Sequence, residues 1–320
     1  MKKQTKAWLI VALALMVVGG LIFTAVMFSL NWDFRKLSTV EYETNEYEIH
    51  EGFENLSIYT DTADVKILPS ENGECKVVCF EPVKYNHATQ VEGNTLKIGK
   101  KGERWWHDYI GIDFNSASIT VYLPAGEYGA FTLKNSTGDM EIAKDFTFAT
   151  VDINTSTGDI KNFASSTGKM QIKASTGSVR IEDVQSDALD LIVSTGNVTV
   201  KNVICSGDMR IDVTTGDAEI KNVSCSNFYA DGTTGDLYMV NVIAQDKFNL
   251  ERTTGDVKFE NCDAVELLVD TDTGDVTGTL LTPKVYIVDT DIGNVDVPKT
   301  ATGGRCEIST NTGDIEISSP

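Results

Sequence analysis

The chain has 320 residues and a formal net charge of −20, from 47 acidic and 27 basic side chains. Such an acidic surface repels phosphate groups, which argues against a nucleic-acid partner. Its three histidines and six cysteines show no spacing typical of a metal site or a catalytic triad, and the cysteines form no C-x-x-C pair. We therefore expect no cofactor.

An uncharged stretch of 23 residues, 8–30, follows a basic N-terminal tail, 1–7. It is long enough to cross a hydrocarbon core of about 30 Å as a helix. Lys2, Lys3 and Lys6 precede it, so the positive-inside rule predicts a cytoplasmic N-terminus and an extracellular C-terminal domain. Because no A-x-A cleavage pattern follows the stretch, we expect a single-pass transmembrane helix in the cell membrane and not a cleaved signal peptide.

A short polar tether, 31–44, leads into a section with strand-like alternation but no repeat, 45–133. We expect this section to be β-rich and to shield the first coil of the domain that follows, because an open end would expose unpaired backbone groups. It also holds the densest aromatic cluster of the chain. That cluster is a candidate ligand contact, or alternatively covers the end of the rod or touches the bilayer; its residues are Trp105, Trp106, His107 and Tyr109.

One short phrase, a polar or small residue followed by Thr, Gly and usually Asp, returns at steps of 19 or 20 residues through 134–320. A fixed period of this size is typical of a solenoid, in which each repeat buries its apolar face by stacking on its neighbours. The glycines are Gly138, Gly158, Gly177, Gly196, Gly216, Gly235, Gly255, Gly274, Gly293 and Gly313.

Each repeat carries two alternating apolar runs, which predict two short strands joined by two turns. At the first turn glycine accepts a positive φ, and the neighbouring Thr and Asp side chains bond nearby backbone groups. We assign this structural turn most clearly to Gly196, Gly216, Gly235, Gly255 and Gly274. At the second turn an asparagine falls six residues after the glycine, and stacked coils would join these amides in a ladder of Asn202, Asn222, Asn241 and Asn261.

The predicted fold class is therefore all-β: a β-solenoid of about nine coils of 19–20 residues with a β-rich N-terminal section, preceded by one transmembrane α-helix. Cys205 and Cys225 each fall nine residues after their glycine, so they should stack on adjacent coils, either as two thiols or as a slightly strained disulfide.

The aspartates after the glycines are read first as turn residues. Asn replaces Asp at some of these positions, and Asn caps a turn well but is a poor general acid. A stacked aspartate series could instead bind Ca²⁺ weakly, and the extra acids make Asp272, Asp275 and Asp291 the candidates.

The Val65-Lys66-Ile67 strand, the Val121-Tyr122-Leu123-Pro124 segment with Tyr128 after it, and the serial Thr-Gly-Asp coils resemble the putative-adhesin family of bacterial envelope β-strand-repeat proteins. The resemblance covers roughly residues 45–320. It implies a cell-surface β-solenoid and offers no catalytic residues to carry over.

These observations favour a non-enzymatic, membrane-anchored surface β-solenoid, an adhesin or envelope scaffold that acts through multivalent contacts. Its partners would be the membrane, through the N-terminal helix, and an envelope protein or polysaccharide. The alternatives are a carbohydrate-active enzyme on a β-helix and an envelope-stress regulator that binds a membrane partner.

Overall fold

The computed structural model describes residues 3–100 and 115–320. Helix α1 spans Lys3–Ser29, and a 3-10 turn follows at Phe34–Leu37. Within α1, Trp8–Ser29 has a mean hydropathy of 2.8, and its side chains are exposed except for Met27 near its end. This helix is long and apolar enough to cross a membrane, in line with the predicted span.

The remaining regular structure is β-sheet. The N-terminal strands are β1 (Tyr42–Ile49), β2 (Asn55–Thr62), β3 (Asp64–Pro69), β4 (Cys75–Pro82), β5 (His87–Glu92), β6 (Thr95–Lys100), β7 (Ser118–Leu123), β8 (Gly126–Thr137) and β9 (Met140–Ile142). The middle strands are β10 (Phe146–Thr157), β11 (Ile160–Asn162), β12 (Ser165–Ser166), β13 (Lys169–Thr176), β14 (Val179–Glu182), β15 (Gln185–Ser186), β16 (Ala188–Thr195), β17 (Val198–Cys205) and β18 (Met209–Thr215). The last strands are β19 (Ala218–Thr234), β20 (Leu237–Thr254), β21 (Val257–Cys262), β22 (Glu266–Thr273), β23 (Val276–Leu280), β24 (Lys284–Ile292), β25 (Val295–Asp296), β26 (Gly304–Thr312) and β27 (Ile315–Ser318).

From β8 onward the strands stack in parallel, coil upon coil, which confirms the predicted solenoid. In the coil between Gly196 and Gly216, β17 pairs with β14 before Asn202 and with β15 after it, and β18 pairs with β16. Each regular coil thus has three strand segments and three corners. The sequence predicted two strands with a turn at the asparagine; the structure has the left-handed backbone there (φ 53° at Asn202) and adds a third paired segment directly after it.

The core fills the inside of the coils. Strand alternation sends every second side chain inward, and the bend at Asn202 restarts that alternation. In this coil the fully buried inward residues are Val198, Val200, Val203, Met209, Ile211 and Val213, with Cys205 almost as deep. Apolar stacking along one continuous core holds the rod together, since a single coil cannot bury its own apolar face.

At the N-terminal end the parallel stack reaches into the section predicted as a cap. β2 pairs in parallel with β8 on one side and with β6 on the other, and β3 lies likewise between β9 and β7. Beyond these coils the pairing becomes antiparallel, with β4 against β7, β1 against β4 and β5 against β6. The antiparallel strands cover backbone groups that a parallel coil would leave open at this end.

At the C-terminal end the coils do not stack in sequence order. β26 lies between β22 and β24, and β27 lies between β23 and β25, all in parallel. The last repeat of the sequence therefore inserts between the two repeats that precede it, contrary to the expectation that each repeat stacks on its sequence neighbours.

A buried lysine secures this rearranged end. Lys284 is 2% exposed, and its ammonium lies 2.6 Å from Oδ1 of Asp263 and donates to Oγ1 of Thr282 at 2.8 Å. A buried charge is tolerated when it is paired and hydrogen-bonded in this way. The contact ties the start of β24 to the corner after β21.

Candidate functional site

The glycines of the repeat form one file along the rod. Gly235 has φ 125°, and a Cβ placed there would lie far inside van der Waals contact with the carbonyl oxygen of Gly216 on the neighbouring coil. The same close approach recurs at the other assigned turn residues, Gly196, Gly216, Gly255 and Gly274. Backbone meets backbone directly at this corner, so each coil turns tightly enough to stack on the next.

The acid after each glycine holds the next coil. The amide of Asp236 donates to Oδ1 of Asp217 at 3.0 Å, and the amide of Asp256 donates to Oδ1 of Asp236 at 2.8 Å. Asn197 serves equally, since its Oδ1 accepts the amide of Asp217 at 3.0 Å. One oxygen of each side chain is thus committed to the backbone, and Asn and Asp are interchangeable in that role.

Exposed threonines lie beside this file. Residues of the same rank in neighbouring coils are paired in register, so the hydroxyls form a row at the interstrand spacing of about 4.8 Å. Ten threonines share the row: Thr62, Thr137, Thr157, Thr176, Thr195, Thr215, Thr234, Thr254, Thr273 and Thr312. We call the four-residue unit that ends at the acid, for example residues 214–217, the repeat corner.

The asparagine corner carries a ladder of side-chain amides. Nδ2 of Asn222 donates to Oδ1 of Asn202 at 2.9 Å, and Nδ2 of Asn241 donates to Oδ1 of Asn222 at 3.0 Å. Asn202 in turn donates to Asp183 at 2.8 Å. Asn261 shares the left-handed backbone, with φ 53°, and its backbone N–H donates to Oγ1 of Thr279 at 2.8 Å.

The calcium candidates lie on two coils that are not adjacent, Asp272 and Asp275 on one and Asp291 on the other. Oδ1 of Asp275 accepts the amide of Asp314 at 2.8 Å, and Oδ1 of Asp272 accepts Nδ2 of Asn311 at 3.2 Å. Because the last repeat is inserted, Asn311 lies between Asp272 and Asp291 in the stack. The three acids therefore do not form a contiguous set.

The aromatic cluster predicted as a ligand contact, Trp105, Trp106, His107 and Tyr109, lies outside the described residues. All six cysteines are free and buried. Cys205 Sγ donates to backbone carbonyls of Asp187 and Asp208 at 3.2 and 3.4 Å, so it is a satisfied core thiol.

One buried polar cluster was missed by the sequence analysis. Cys79, Glu81 and His87 bring a thiol, a carboxylate and an imidazole together, with their donor atoms all within 4.8 Å of one another. Cys79 and Glu81 are fully buried and His87 is 7% exposed. By itself, spacing along the chain gave no sign of this cluster, because it is folding that places His87 next to two residues of the preceding strand.

Hydrogen bonds fix the geometry of this cluster. Oε2 of Glu81 lies 2.6 Å from Nδ1 of His87 and accepts the backbone amide of His87 at 2.7 Å. Oε1 of Glu81 accepts Nδ2 of Asn45 at 2.9 Å, and Nε2 of His87 lies 2.9 Å from Oγ1 of Thr60. Strands β1, β2, β4 and β5 all contribute.

The electrostatics of the two acidic members differ. Burial acts to raise the pKa of Glu81, but hydrogen bonds from His87 and Asn45 outweigh it, so its pKa lies below the usual value. Burial raises the pKa of the Cys79 thiol to about 12, with the charge of Glu81 as a second cause. The cluster thus holds a carboxylate and a protonated thiol.

A signal for the cluster does exist in the sequence. Residues two apart on a strand share a face, which puts Cys79 and Glu81 side by side. A turn in which the amide of Tyr85 donates to the carbonyl of Pro82 at 2.9 Å then returns the chain, and His87 opens the next strand. The sequence pattern is Cys-x-Glu, then a turn, then His. It predicts that the three side chains lie close together only when the turn is recognised.

An open groove runs along the repeat corner on the side of the following strands. Its volume is about 480 Å³, and it is lined by Asp217, Asp236 and Asp256 together with Tyr238 and Lys258. The Tyr238 hydroxyl donates to Glu260 at 2.8 Å. The ammonium of Lys258 lies 5.6 Å from the centre of the Tyr238 ring. The groove combines repeated carboxylates with one aromatic side chain.

The chain matches the family profile described as Toastrack DUF4097 over residues 53–223 and 206–320. No curated protein matches it. Among solved structures it is similar to a putative adhesin from Bacteroides fragilis, with 14% identity, a TM-score of 0.45, and 87% of this chain and 97% of that chain covered. It is also similar to a putative adhesin from Parabacteroides distasonis, with 11% identity, a TM-score of 0.48 and 87% and 98% covered. A putative lipid binding protein from the same species has 12% identity, a TM-score of 0.43 and 88% and 98% covered.

Proposed function

The chain belongs to the Toastrack DUF4097 family, and from this premise we propose that it is a non-enzymatic surface β-solenoid, anchored in the membrane by α1, that binds an envelope polymer through many weak contacts. The chemistry of that polymer would be a repeating, hydroxyl-rich or amide-rich chain such as an envelope polysaccharide. Such a ligand can bond to hydroxyl and carboxylate oxygens at regular intervals.

The observation that carries this proposal is the in-register row of exposed threonines next to the file of acids. Ten hydroxyls at about 4.8 Å spacing extend over roughly 40 Å, a length that suits an extended polymer better than a small molecule. Each contact is weak, but contacts made by one polymer on one rigid surface sum to a high overall affinity. The Tyr238 groove adds a ring on which a sugar face could pack.

The use of the acids supports a non-enzymatic role. In each aspartate of the file, such as Asp217 or Asp236, Oδ1 accepts a hydrogen bond from a backbone amide of the next coil. A general acid or nucleophile needs a free carboxyl group with a tuned pKa, held near a second reactive group. Asn197 takes the same place in the file, which fits a structural task.

The anchoring part of the proposal is supported by α1. Most of its apolar side chains are exposed, including Trp8, Leu15 and Phe28, although Met27 is buried. An unpacked helix of this composition is stable in a bilayer and costly in water. With basic residues before the helix, the rod would lie on the extracellular side.

The experiment measures binding of the full-length chain, held in lipid nanodiscs, to peptidoglycan sacculi and to the soluble fragments made from them. We expect sacculi to be bound about 10²-fold more tightly than fragments, because only the intact polymer engages several coils at once. Equal affinity for both would contradict multivalent binding. Release of soluble sugar from the sacculi by the protein would contradict the non-enzymatic role.

A matched pair of triple variants locates the surface. The test variant removes three corner hydroxyls, by Thr215→Ala, Thr234→Ala and Thr254→Ala. The control removes three hydroxyls elsewhere, by Ser57→Ala, Thr147→Ala and Ser224→Ala. We expect the test variant to bind sacculi about tenfold more weakly and the control to bind like the wild type; the reverse order would place binding on another face.

A further inference from the structure

We propose that Cys79, Glu81 and His87 form a binding site for one divalent metal ion of intermediate softness, Zn²⁺ in the first place, inside the N-terminal end of the rod. This inference is independent of the proposed surface function. It rests on the donor set, on the way its atoms converge, and on the hydrogen bonds by which neighbouring strands orient them.

The donor set suits zinc. Thiolate sulfur, imidazole nitrogen and carboxylate oxygen are the three ligand types that Zn²⁺ takes from proteins, and three protein ligands leave the fourth tetrahedral position to water. The donor atoms lie within 4.8 Å of one another, so modest side-chain movement brings all three to one ion. Calcium and magnesium would not select the thiol, since both prefer oxygen ligands.

Neighbouring strands already orient the ligands. Asn45 of β1 holds Oε1 of Glu81, and Thr60 of β2 lies at Nε2 of His87, which leaves Oε2 and Nδ1 directed at each other beside the thiol. Partners of this kind fix ligand orientation and the histidine tautomer in zinc sites. An additional hydrogen bond from Tyr47 to the carbonyl of His87, at 3.1 Å, holds the backbone of the imidazole ligand.

The charges balance when a divalent ion binds. A thiol that ligates Zn²⁺ gives up its proton to solvent, and an imidazole that ligates through Nδ1 carries its proton on Nε2, which here lies 2.9 Å from Oγ1 of Thr60. One thiolate, one carboxylate and one dication then sum to zero, which removes the cost of burying an uncompensated charge.

The position of the site gives it a structural consequence. Cys79 and Glu81 lie on β4, which forms the antiparallel cover of the terminal coil, and His87 opens β5, which pairs with β6. A metal ion would tie β4 to β5 and, through Asn45 and Thr60, to β1 and β2. We therefore expect metal binding to stabilise the N-terminal end of the rod against unfolding.

The experiment uses the full-length chain in detergent, stripped with a chelator and then dialysed against Zn²⁺ or Co²⁺. We expect one bound ion per chain by elemental analysis, and a thiolate-to-cobalt charge-transfer band in the Co²⁺ form. The band reports on sulfur ligation in the wild-type protein itself. Its absence, or the absence of stoichiometric zinc, overturns the proposal even if every variant fails to fold.

Variants then test the assignment of ligands. Cys79→Ser should abolish the band and His87→Gln should abolish stoichiometric zinc, whereas Cys225→Ser and His50→Gln, which change a buried thiol and an exposed histidine elsewhere, should leave both unchanged. Thr60→Val should weaken zinc binding about 10- to 100-fold. A folded Cys79→Ser or His87→Gln chain that binds zinc like the wild type would also overturn the proposal.

Discussion

The backbone amide of Asp314 donates to Oδ1 of Asp275 at 2.8 Å, although a whole repeat separates these two residues in the sequence. The repeat between them in the sequence, which contains Gly293, lies on the other side of the C-terminal repeat. There the backbone amide of Asn294 donates to Oδ1 of Asp314 at 2.7 Å. The C-terminal repeat is thus held between two coils on both faces. This arrangement buries the chain end within the stack instead of leaving it as a single unprotected coil.

Engineered disulfides should report this coil order. Asp272 and Asn311 lie on adjacent coils, at about 4.8 Å between Cα atoms, within the range that a disulfide spans. The pair Asp272→Cys and Asn311→Cys should therefore cross-link under mild oxidation, measured by the mass of the peptides joined after proteolysis.

The matched control pairs Asp272→Cys with Asp291→Cys. These residues lie two coils apart, about 10 Å, which is too far for a disulfide. Stacking in sequence order would give the opposite result, so a cross-link in the control and none in the test pair would refute the inserted repeat.

Glycine at the repeat corner should be irreplaceable. Gly235→Ala places a Cβ against the carbonyl oxygen of Gly216 at a φ of 125°, so it should destabilise the rod by at least about 1–3 kcal/mol from backbone strain. Gly52→Ala is the control, because nothing lies within 4 Å of its Cβ position and its φ is ordinary. Thermal unfolding of both variants checks this, and equal midpoints would contradict it.

Two substitutions at Asn222 should separate its backbone role from its ladder role. Asn222→Gly keeps the left-handed conformation but loses the amide bonds to Asn202 and Asn241, at a cost of about 1 kcal/mol. Asn222→Ala loses the same bonds and adds about 1–2 kcal/mol for a Cβ at φ 53°. The free energy of unfolding measured by chemical denaturation should therefore be highest for the wild type, lower for Asn222→Gly and lowest for Asn222→Ala. Equal stability of the two variants would mean that the left-handed backbone at this position makes no separate contribution to stability.

The buried thiols should make the fold sensitive to alkali. Burial raises the pKa of Cys75, Cys225 and Cys306 from 9.0 to about 12. Between these values the unfolded chain binds fewer protons than the folded chain, so stability is intact below pH 9 and falls as pH rises through this window.

The expected slope is about 1.4 kcal/mol per pH unit for each such thiol. Denaturation of the reduced, chelator-treated protein from pH 8 to 11 checks it. Cys225→Ala should fall less steeply than the wild type, whereas an unchanged slope would mean that this thiol does not contribute.

The buried guanidinium of Arg252 should destabilise the rod. Arg252 is 4% exposed, and its guanidinium nitrogens have no hydrogen-bond partner in the described part of the chain; it fills the space left by Gly232 on the adjacent coil. Arg252→Val should stabilise the rod by about 1–3 kcal/mol, because an unsatisfied buried polar group costs that much.

The exposed Arg210, paired with Asp231 at 3.3 Å, provides the comparison for this effect. Arg210→Val should change the free energy of unfolding by less than about 1 kcal/mol, as exposed ion pairs contribute little. A loss of stability in Arg252→Val would show that the guanidinium is held favourably.

Local pattern was enough to predict much of this protein. A period of 19 or 20 residues, strand alternation and the demand of tight turns for glycine fixed the solenoid, the file that includes Gly216 and Gly235, and the helix of residues 8–30. Family membership was likewise visible in the repeated corner residues. These features depend on neighbours in the chain or on identical coils, so sequence alone determines them.

Only the tertiary structure decided which coils touch at the two ends and which polar residues meet inside. The repeats that contain Gly293 and Gly313 both keep the 19–20-residue period, which does not say which of them stacks on the coil of Gly274. That order depends on non-local contacts, such as the one between Lys284 and Asp263. Likewise, Cys79, Glu81 and His87 are near one another only because a turn reverses the chain between β4 and β5. The physical reason is the same in both cases: non-local contacts are selected by the packing energy of the whole fold, not by the preferences of short segments.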